Sequence, residues 1–378
     1  METRAAKRRA EIADLPQNQS PKKKRVVLGE LPNLSNTILP VSSNSILQPR
    51  KRECRRKTKV KSSAMTKKII MLEDPKLDDA KVKAKKALYP DTKSGKDAKQ
   101  DDPQNCESYV SDIYEYLHKM EMEPKRRPMH GYLEKIQKDV TANMRGVLID
   151  WLVEVSEEYK LLSDTLFLSV SYIDRFLSSN PVSRQRLQLL GVSSMLIASK
   201  YEEISPPHVE EFCYITDNTY TKAEVVQMEA DILKSLNFEM GNPTVKTFLR
   251  RFAGFVSGDQ KNPNLQFEFL GYYLSELSLL DYNCIKFLPS HVAASVIFLA
   301  RFIISPKVHP WTSALQECSG YKSSELKECV LILHDLYLAR RGGSLQAIRE
   351  KYKQHKFKCV ATLPSPPEIS VSYFEDEW

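Results

Sequence analysis

The chain has 378 residues, 42% of them hydrophobic, with a formal net charge of +8. That length and apolar content suit two globular cores plus a tail, and no run of 18 apolar residues exists to cross a membrane. Up to Asp102 there are 26 Lys/Arg against 13 Asp/Glu, while the remainder has 30 against 35. The basicity therefore belongs to an N-terminal arm, and a mildly acidic folded part argues against a folded nucleic-acid surface. The seven cysteines (54, 106, 213, 284, 318, 329, 359) form no CxxC pair. Neither a metal set nor a disulfide framework is expected from them. The polar start carries no signal-peptide pattern, so a soluble protein of a reducing compartment is expected.

Residues 1–104 lack apolar periodicity and are rich in Lys, Ser, Pro and Asp. Such a segment cannot bury enough surface to offset its ordering entropy and reads as a disordered regulatory arm. Within it, Lys22, Lys23, Lys24 and Arg25 form a compact cationic cluster of the nuclear-import type. This implies a nuclear importer as partner and a nuclear location, with a cytoplasmic pool. Ser20, followed by Pro21 and two lysines, fits a proline-directed phosphorylation site. A phosphate there would place about −2 charge beside the cluster. Arg25, Leu28 and Asn33 have the R-x-x-L-x-x-x-x-N layout of a destruction box, the signal read by the anaphase-promoting ubiquitin ligase.

Residues 107–377 read almost wholly as helices. A first helical pattern starts at Ser108. The helix from Thr141 to Ser156 carries two apolar stripes: Met144, Val147, Leu148, Trp151 and Val155, then Ile149, Leu152 and Val153. Arg145 points toward the second stripe, Glu154 edges the first, and Asp150 and Glu157 fill the remaining arc. A helix of this kind is either covered all round or offers one stripe to a partner. Helices follow over 164–179, 183–203, 207–214 and 222–237, the last begun by the capping box Thr221-Lys-Ala-Glu224. Asn242-Pro243 then breaks the chain.

A shift of 101 residues superposes a second copy of this pattern. Val147, Leu148, Trp151 and Val155 fall on Phe248, Leu249, Phe252 and Val256, and Tyr172 and Ile173 on Tyr273 and Leu274. The unit is five helices, repeated once, and small residues at 193–194 and 293–295 suit a central buried helix in each copy. Differences between the copies single out residues with duties beyond the fold. Arg145 pairs with Lys246, but Asp174 pairs with Ser275; a buried guanidinium needs a carboxylate, and Asp174 is the candidate. Lys200 pairs with Arg301, whereas Glu229 pairs with Val330. Lys200 and Glu229 are either a donor–acceptor pair on one surface or two solvated charges.

Met144-Arg145-Gly146-Val147-Leu148-Ile149-Asp150-Trp151-Leu152 resembles the first-box signature of A- and B-type cyclins. Ser171 to Leu177, Leu196 to Glu203, Met228-Glu229, and Trp311 through Tyr321 are similar to later blocks of that family, in order. The resemblance covers about two thirds of the chain, and with Lys22 to Asn33 it points to the third subgroup of plant A-type cyclins. It implies an all-α fold of two tandem five-helix cyclin boxes, expected at 105–240 and 241–360, with a C-terminal tail at 361–378. It also implies a regulatory subunit with no catalytic residues and no cofactor, pairing one to one with a cyclin-dependent serine/threonine kinase from S phase to mitosis. By that resemblance Lys200 and Glu229 contact the kinase with Tyr201 and Phe238, and Arg145 and Asp174 order the first box. The resemblance further assigns Met144, Val147, Leu148, Trp151, Glu154, Leu187 and Gln188 to a groove for R-x-L peptides of substrates and inhibitors. Two positions depart from the family pattern: Val147 for Ile removes a methylene, about 0.8 kcal/mol of burial, and Gly146 for Ala costs about 1 kcal/mol in mid-helix. No nucleic-acid or membrane partner is expected. General initiation factors share the tandem fold, but the zinc ribbon of paired CxxC expected of one is missing.

Overall fold

Thr141 begins the helix on which the first box is built. Its hydroxyl accepts the amide hydrogen of Met144 at 3.3 Å, satisfying one of the donors that a helix start leaves open. In the computed structural model, residues 109–257 and 264–375 are described. The arm motifs at Ser20, Lys22, Lys23, Lys24, Arg25, Leu28 and Asn33 lie outside them. The described residues contain α-helices and 3-10 turns and no strand.

In chain order the helices are α1 (Val110–Met122), α2 (Tyr132–Lys135), α3 (Ala142–Glu158), α4 (Ser163–Leu177), α5 (Leu187–Glu202), α6 (Val209–Ile215) and α7 (Lys222–Ser235). The second set is α8 (Val245–Ser257), α9 (Leu265–Leu280), α10 (Pro289–Ile304), α11 (Ser313–Ser319), α12 (Ser323–Tyr337) and α13 (Ala347–Tyr352). Helices α3–α7 and α8–α12 are the two five-helix copies, and both lie in one compact unit. The capping box at Thr221 forms as the sequence predicts, with Glu224 accepting the Thr221 amide hydrogen at 2.8 Å. Helix α5 starts four residues later than expected, because Arg184–Arg186 form a 3-10 turn first.

Each copy is organised around a central helix, α5 or α10, on which its neighbours pack. The small residues Ser193, Ser194, Ala293, Ala294 and Ser295 are fully buried there. Gly191 shows why: a Cβ on it would stand 2.8 Å from Leu148 Cδ1. The close approach of α3 to α5 depends on that missing carbon.

The copies share one continuous apolar core and are also joined by polar contacts. Arg145 Nε and Nη2 donate to the two oxygens of Asp174, each at 2.7 Å, while Nη1 donates to the Leu279 carbonyl of the second copy at 2.9 Å. The Tyr132 hydroxyl also donates to Asp174, at 2.8 Å. Lys246, the counterpart of Arg145, reaches the other way and donates to Asp164 at 2.5 Å, with Arg250 on the same carboxylate.

Helix α1 precedes the first five-helix copy in sequence but packs on the second. Tyr114 and His118 lie against Phe248, and buried Glu121 accepts the amide and hydroxyl hydrogens of Ser290 at 3.0 and 2.6 Å. Glu121 thus caps α10, whose own preceding residue, Leu288, offers no side-chain acceptor. The chain beyond α12 returns to the first box as a strap. Leu345 packs where a Cβ on Gly146 would stand, at 3.1 Å, and Asp150 accepts the amide hydrogens of Gln346 and Ala347 at 3.2 and 3.0 Å. Lys351 donates to both oxygens of buried Glu276, at 2.9 and 3.0 Å, joined by the Tyr352 hydroxyl at 2.9 Å. Glu157 pairs with Lys356 at 2.8 Å. The polar arc of α3 that carries Asp150 and Glu157 is therefore met by the C-terminal segment.

Burial pushes the Asp150 carboxyl up to about 6, against the pull of the two amides it caps. The folded protein keeps this proton between about pH 4 and 6, where the unfolded chain has lost it. Folding stability from this group accordingly falls as pH rises through that window, by on the order of 2–3 kcal/mol, and is constant above it. Asp150→Asn keeps a capping oxygen and removes the ionisation. Melting curves from pH 4 to 7 should show that the variant lacks this fall and is at least as stable as the parent at pH 7.

Candidate functional site

Two surfaces gather the residues singled out above. The first lies on α5 and α7. Lys200, in the last turn of α5, donates to Glu229 Oε1 in mid α7 at 2.6 Å. The lysine side chain is 47% exposed and the glutamate 14%, so the pair is open to solvent at its cationic end. The pairing choice left open by the sequence is thus settled: these are partners. An exposed pair of this kind contributes little to stability, about 0–1 kcal/mol.

Tyr201 follows Lys200 directly, Phe238 follows the end of α7, and both are exposed, the latter by 68%. Both are held outward by specific backbone features. Phe238 follows Asn237 with both residues in the left-handed region, φ 58° and 51°. Each costs on the order of 1 kcal/mol or more for a side-chain-bearing residue. The Phe238 amide donates to the Leu233 carbonyl at 2.9 Å, which fixes the turn. The Tyr201 hydroxyl stands 2.6 Å from where a Cβ on Gly241 would be, so the ring lies along the connection between the copies only because that residue is glycine. Ile204, just beyond, is fully exposed. Apolar rings and an aliphatic side chain around one ion pair make a surface able to bury against a protein partner.

The second surface is the outer stripe of α3. Met144 and Trp151 are half-buried and Glu154 is exposed. Val147, Leu148, Leu187 and Gln188 are buried, Leu148 completely. Leu148 is therefore a correction to the expected groove: it packs under Gly191 in the core and has no surface to offer a ligand. The two stripes do not divide cleanly: Ile149, Leu152 and Val153 of the second are buried as expected, but so are Val147, Leu148 and Val155 of the first. The helix is a covered element on which, of the expected groove, Met144, Trp151 and Glu154 keep accessible surface. Gln188 is the informative member of the floor. Its Nε2 is buried with no hydrogen-bond partner, a donor that costs about 1–3 kcal/mol to leave unmade.

Among the described residues no group of three His, Cys, Asp or Glu could hold a metal ion. His208 precedes α6, where its amide donates to Glu211 at 2.7 Å, and His291 stacks on Phe287 with its Nε2 3.2 Å from the Glu325 carbonyl oxygen. Burial pulls the His291 imidazole below its ordinary pKa. Both serve helix ends.

Residues 112–241 match the model of the cyclin N-terminal domain, and residues 243–366 that of the cyclin C-terminal domain. The chain is 55% identical to cyclin-A3-2 of Arabidopsis thaliana over 98% of its own length and 96% of that protein. It is 59% identical to the G2/mitotic-specific cyclin C13-1 of Daucus carota, over 94% and 96%. A viral cyclin of herpesvirus saimiri shares its fold, with a TM-score of 0.52, 22% identity, and coverage of 60% of this chain and 96% of that one. Tandem five-helix copies, matches to both cyclin domains and relatives aligned over nearly the full length agree: the chain belongs to the cyclin family, and resembles A-type members of its third plant subgroup.

Proposed function

We propose that this cyclin activates its cyclin-dependent kinase through the α5–α7 face, with Lys200 and Glu229 at its centre and Tyr201 and Phe238 at its edges. As a member of its family the chain is a regulatory subunit of cell-cycle control, and phosphoryl transfer is performed by the kinase. The observation that carries the assignment to this face is the strained exposure of Phe238. Two successive left-handed residues hold a large ring in water just beyond the helix that carries Glu229, and a partner that covers the ring removes about 25 cal/mol of cost per Å² of apolar surface. Lys200 and Glu229 then offer a donor and an acceptor to the partner's backbone.

The stripe at Met144, Trp151 and Glu154 is the proposed docking site for R-x-L peptides of substrates and inhibitors. Gln188 supports this reading, because a peptide carbonyl bound there would complete its unmet hydrogen bond. Lys22, Lys23, Lys24 and Arg25 are proposed to recruit a nuclear importer, with Ser20 phosphorylation weakening that contact. Arg25, Leu28 and Asn33 are proposed to hand the protein to the anaphase-promoting ubiquitin ligase.

Purified with a cyclin-dependent kinase and assayed on histone, the parent protein should activate, and Lys200→Ala/Glu229→Ala should activate at least tenfold less. Its melting temperature should stay within about 4 °C of the parent; wild-type activation by the variant would refute the assigned face. For the docking stripe, Gln188→Leu deletes the unpaired amide without opening a cavity. Fluorescence polarisation should show R-x-L peptide affinity reduced about five- to tenfold, with kinase binding and stability retained. Following protein levels through mitotic exit, Arg25→Ala/Leu28→Ala should persist while the parent disappears. Equal decay would remove the destruction box from the account.

A further inference from the structure

Four Ser-Pro pairs occur in the chain, at Ser20, Ser205, Ser305 and Ser365, and the structure separates them. Ser20 lies outside the described residues. Ser305 is tied into a turn: its amide donates to the Arg301 carbonyl at 2.8 Å, and its carbonyl accepts from Val308 at 3.1 Å. The following Pro306 carbonyl accepts the Tyr373 hydroxyl at 2.9 Å. Ser365 is half-buried, its Oγ 3.1 Å from His334 Nε2 and donating to the Pro366 carbonyl at 3.2 Å. Ser205 and Ser305 are both exposed, but Ser305 is fixed in its turn by its amide and carbonyl, whereas among the described residues neither the amide nor the hydroxyl of Ser205 has a partner.

The segment around Ser205 is nevertheless held at both ends. Glu203 accepts the Leu162 amide hydrogen at 2.7 Å and the Thr165 hydroxyl hydrogen at 2.6 Å. The His208 amide donates to Glu211 and enters α6. Pro206 and Pro207 restrict φ and bias the residues before them toward extended conformations. The result is a short protruding stretch with Ile204 fully exposed beside Ser205, the presentation that a kinase cleft requires of a serine.

We propose that Ser205 is a phosphorylation site for a proline-directed serine/threonine kinase, and that the phosphate closes the α5–α7 face to its partner. In the modification step Ser205 Oγ bonds to the γ-phosphorus of ATP. The bond from that phosphorus to the β–γ bridging oxygen breaks, ADP leaves with the electron pair, and the hydroxyl proton passes to the modifying kinase. The product places about −2 charge five residues beyond Lys200 and one beyond Ile204. Glu202, Glu203, Glu210 and Glu211 already surround it in sequence. The cations of the region are taken: Lys200 by Glu229 and Lys222 by Glu210, each at 2.6 Å, and Lys246 and Arg250, which also act on Glu202, by Asp164. The phosphate thus finds no unpaired cation nearby, and covering it together with Tyr201 and Ile204 would bury a charge without a partner of its own. The effect rests on the assignment of that face made above.

The test uses the full chain, phosphorylated by a purified mitogen-activated-type proline-directed kinase with ATP, beside the Ser205→Ala variant treated identically. Fragmentation mass spectrometry should find phosphate on Ser205 in the parent. The phosphorylated parent should bind and activate a cyclin-dependent kinase at least tenfold more weakly than the untreated protein, while treated Ser205→Ala should match its untreated form. No phosphate on Ser205, or full activation by a chain stoichiometrically modified there, overturns the inference. Failure of the untreated parent to activate would instead overturn the assigned face. The mass spectrum still decides the site in that case.

Discussion

The Arg145 guanidinium is the constraint around which the two copies are set. It is almost completely buried, and burial alone would favour loss of its proton; the bidentate Asp174 carboxylate outweighs that and holds it charged. Removing two ions from water costs several kcal/mol each, so such a pair is weak evidence for added stability. What it supplies is position. The third donor of the same guanidinium ends on the Leu279 carbonyl at the C-terminal end of α9, where helix carbonyls lack partners of their own. Asp174 is held in turn by Tyr132, which stands before α3 in the chain. One side chain thereby fixes the start of the first copy, the α3–α4 crossing and the place of the second copy. Loss of the carboxylate would leave a buried, uncompensated cation, a defect worth about 3–5 kcal/mol.

The internal repeat makes this contact half of a reciprocal arrangement. Arg145 and Lys246 occupy equivalent places on α3 and α8, and each sends its charge into the other copy: Arg145 to Leu279, Lys246 to Asp164. The first contact is buried and rigid, the second partly open, with Arg250 sharing the carboxylate. A further buried cation, Lys351, performs the same service for the strap by ending on Glu276. All three join elements that hydrophobic burial alone would pack without a unique register.

Much of this was legible in the sequence because it is local or periodic. Helical spacing and the 101-residue repeat locate the five helices of each copy, Thr221 and Glu224 announce a helix start, and unequal positions across the repeat mark Asp174 and Glu229. The rest depends on segments distant in sequence. Nothing near Glu121 shows that it will cap α10, 169 residues on, and nothing near Asp150 shows that it will cap α13. Gly146 looks like a defect in a helix until Leu345 is seen in the space its missing Cβ leaves. Leu148 reads as part of an open stripe until the close passage of α5 at Gly191 covers it. Gln188 lacks any sequence signal, since its distinction is a hydrogen bond not made.

The same comparison of copies bears on why the proposed partner face is on the first box alone. Tyr201 corresponds to Phe302, Glu229 to Val330 and Phe238 to Ala339, which keeps a left-handed backbone with φ 57°. The second copy thus retains the backbone turn but has lost the ring. Its equivalent surface is closed by the chain's own end. Phe374 stacks on Phe298 with ring centres 5.1 Å apart, and Tyr373 lies edge-on to Phe302 at 6.1 Å. Phe302 and Val330 are buried as a consequence, whereas Tyr201 and Phe238 remain in water. Duplication would present this surface twice. The tail covers one copy with apolar groups, and in the other the rings stay exposed, so the proposed partner surface is presented once.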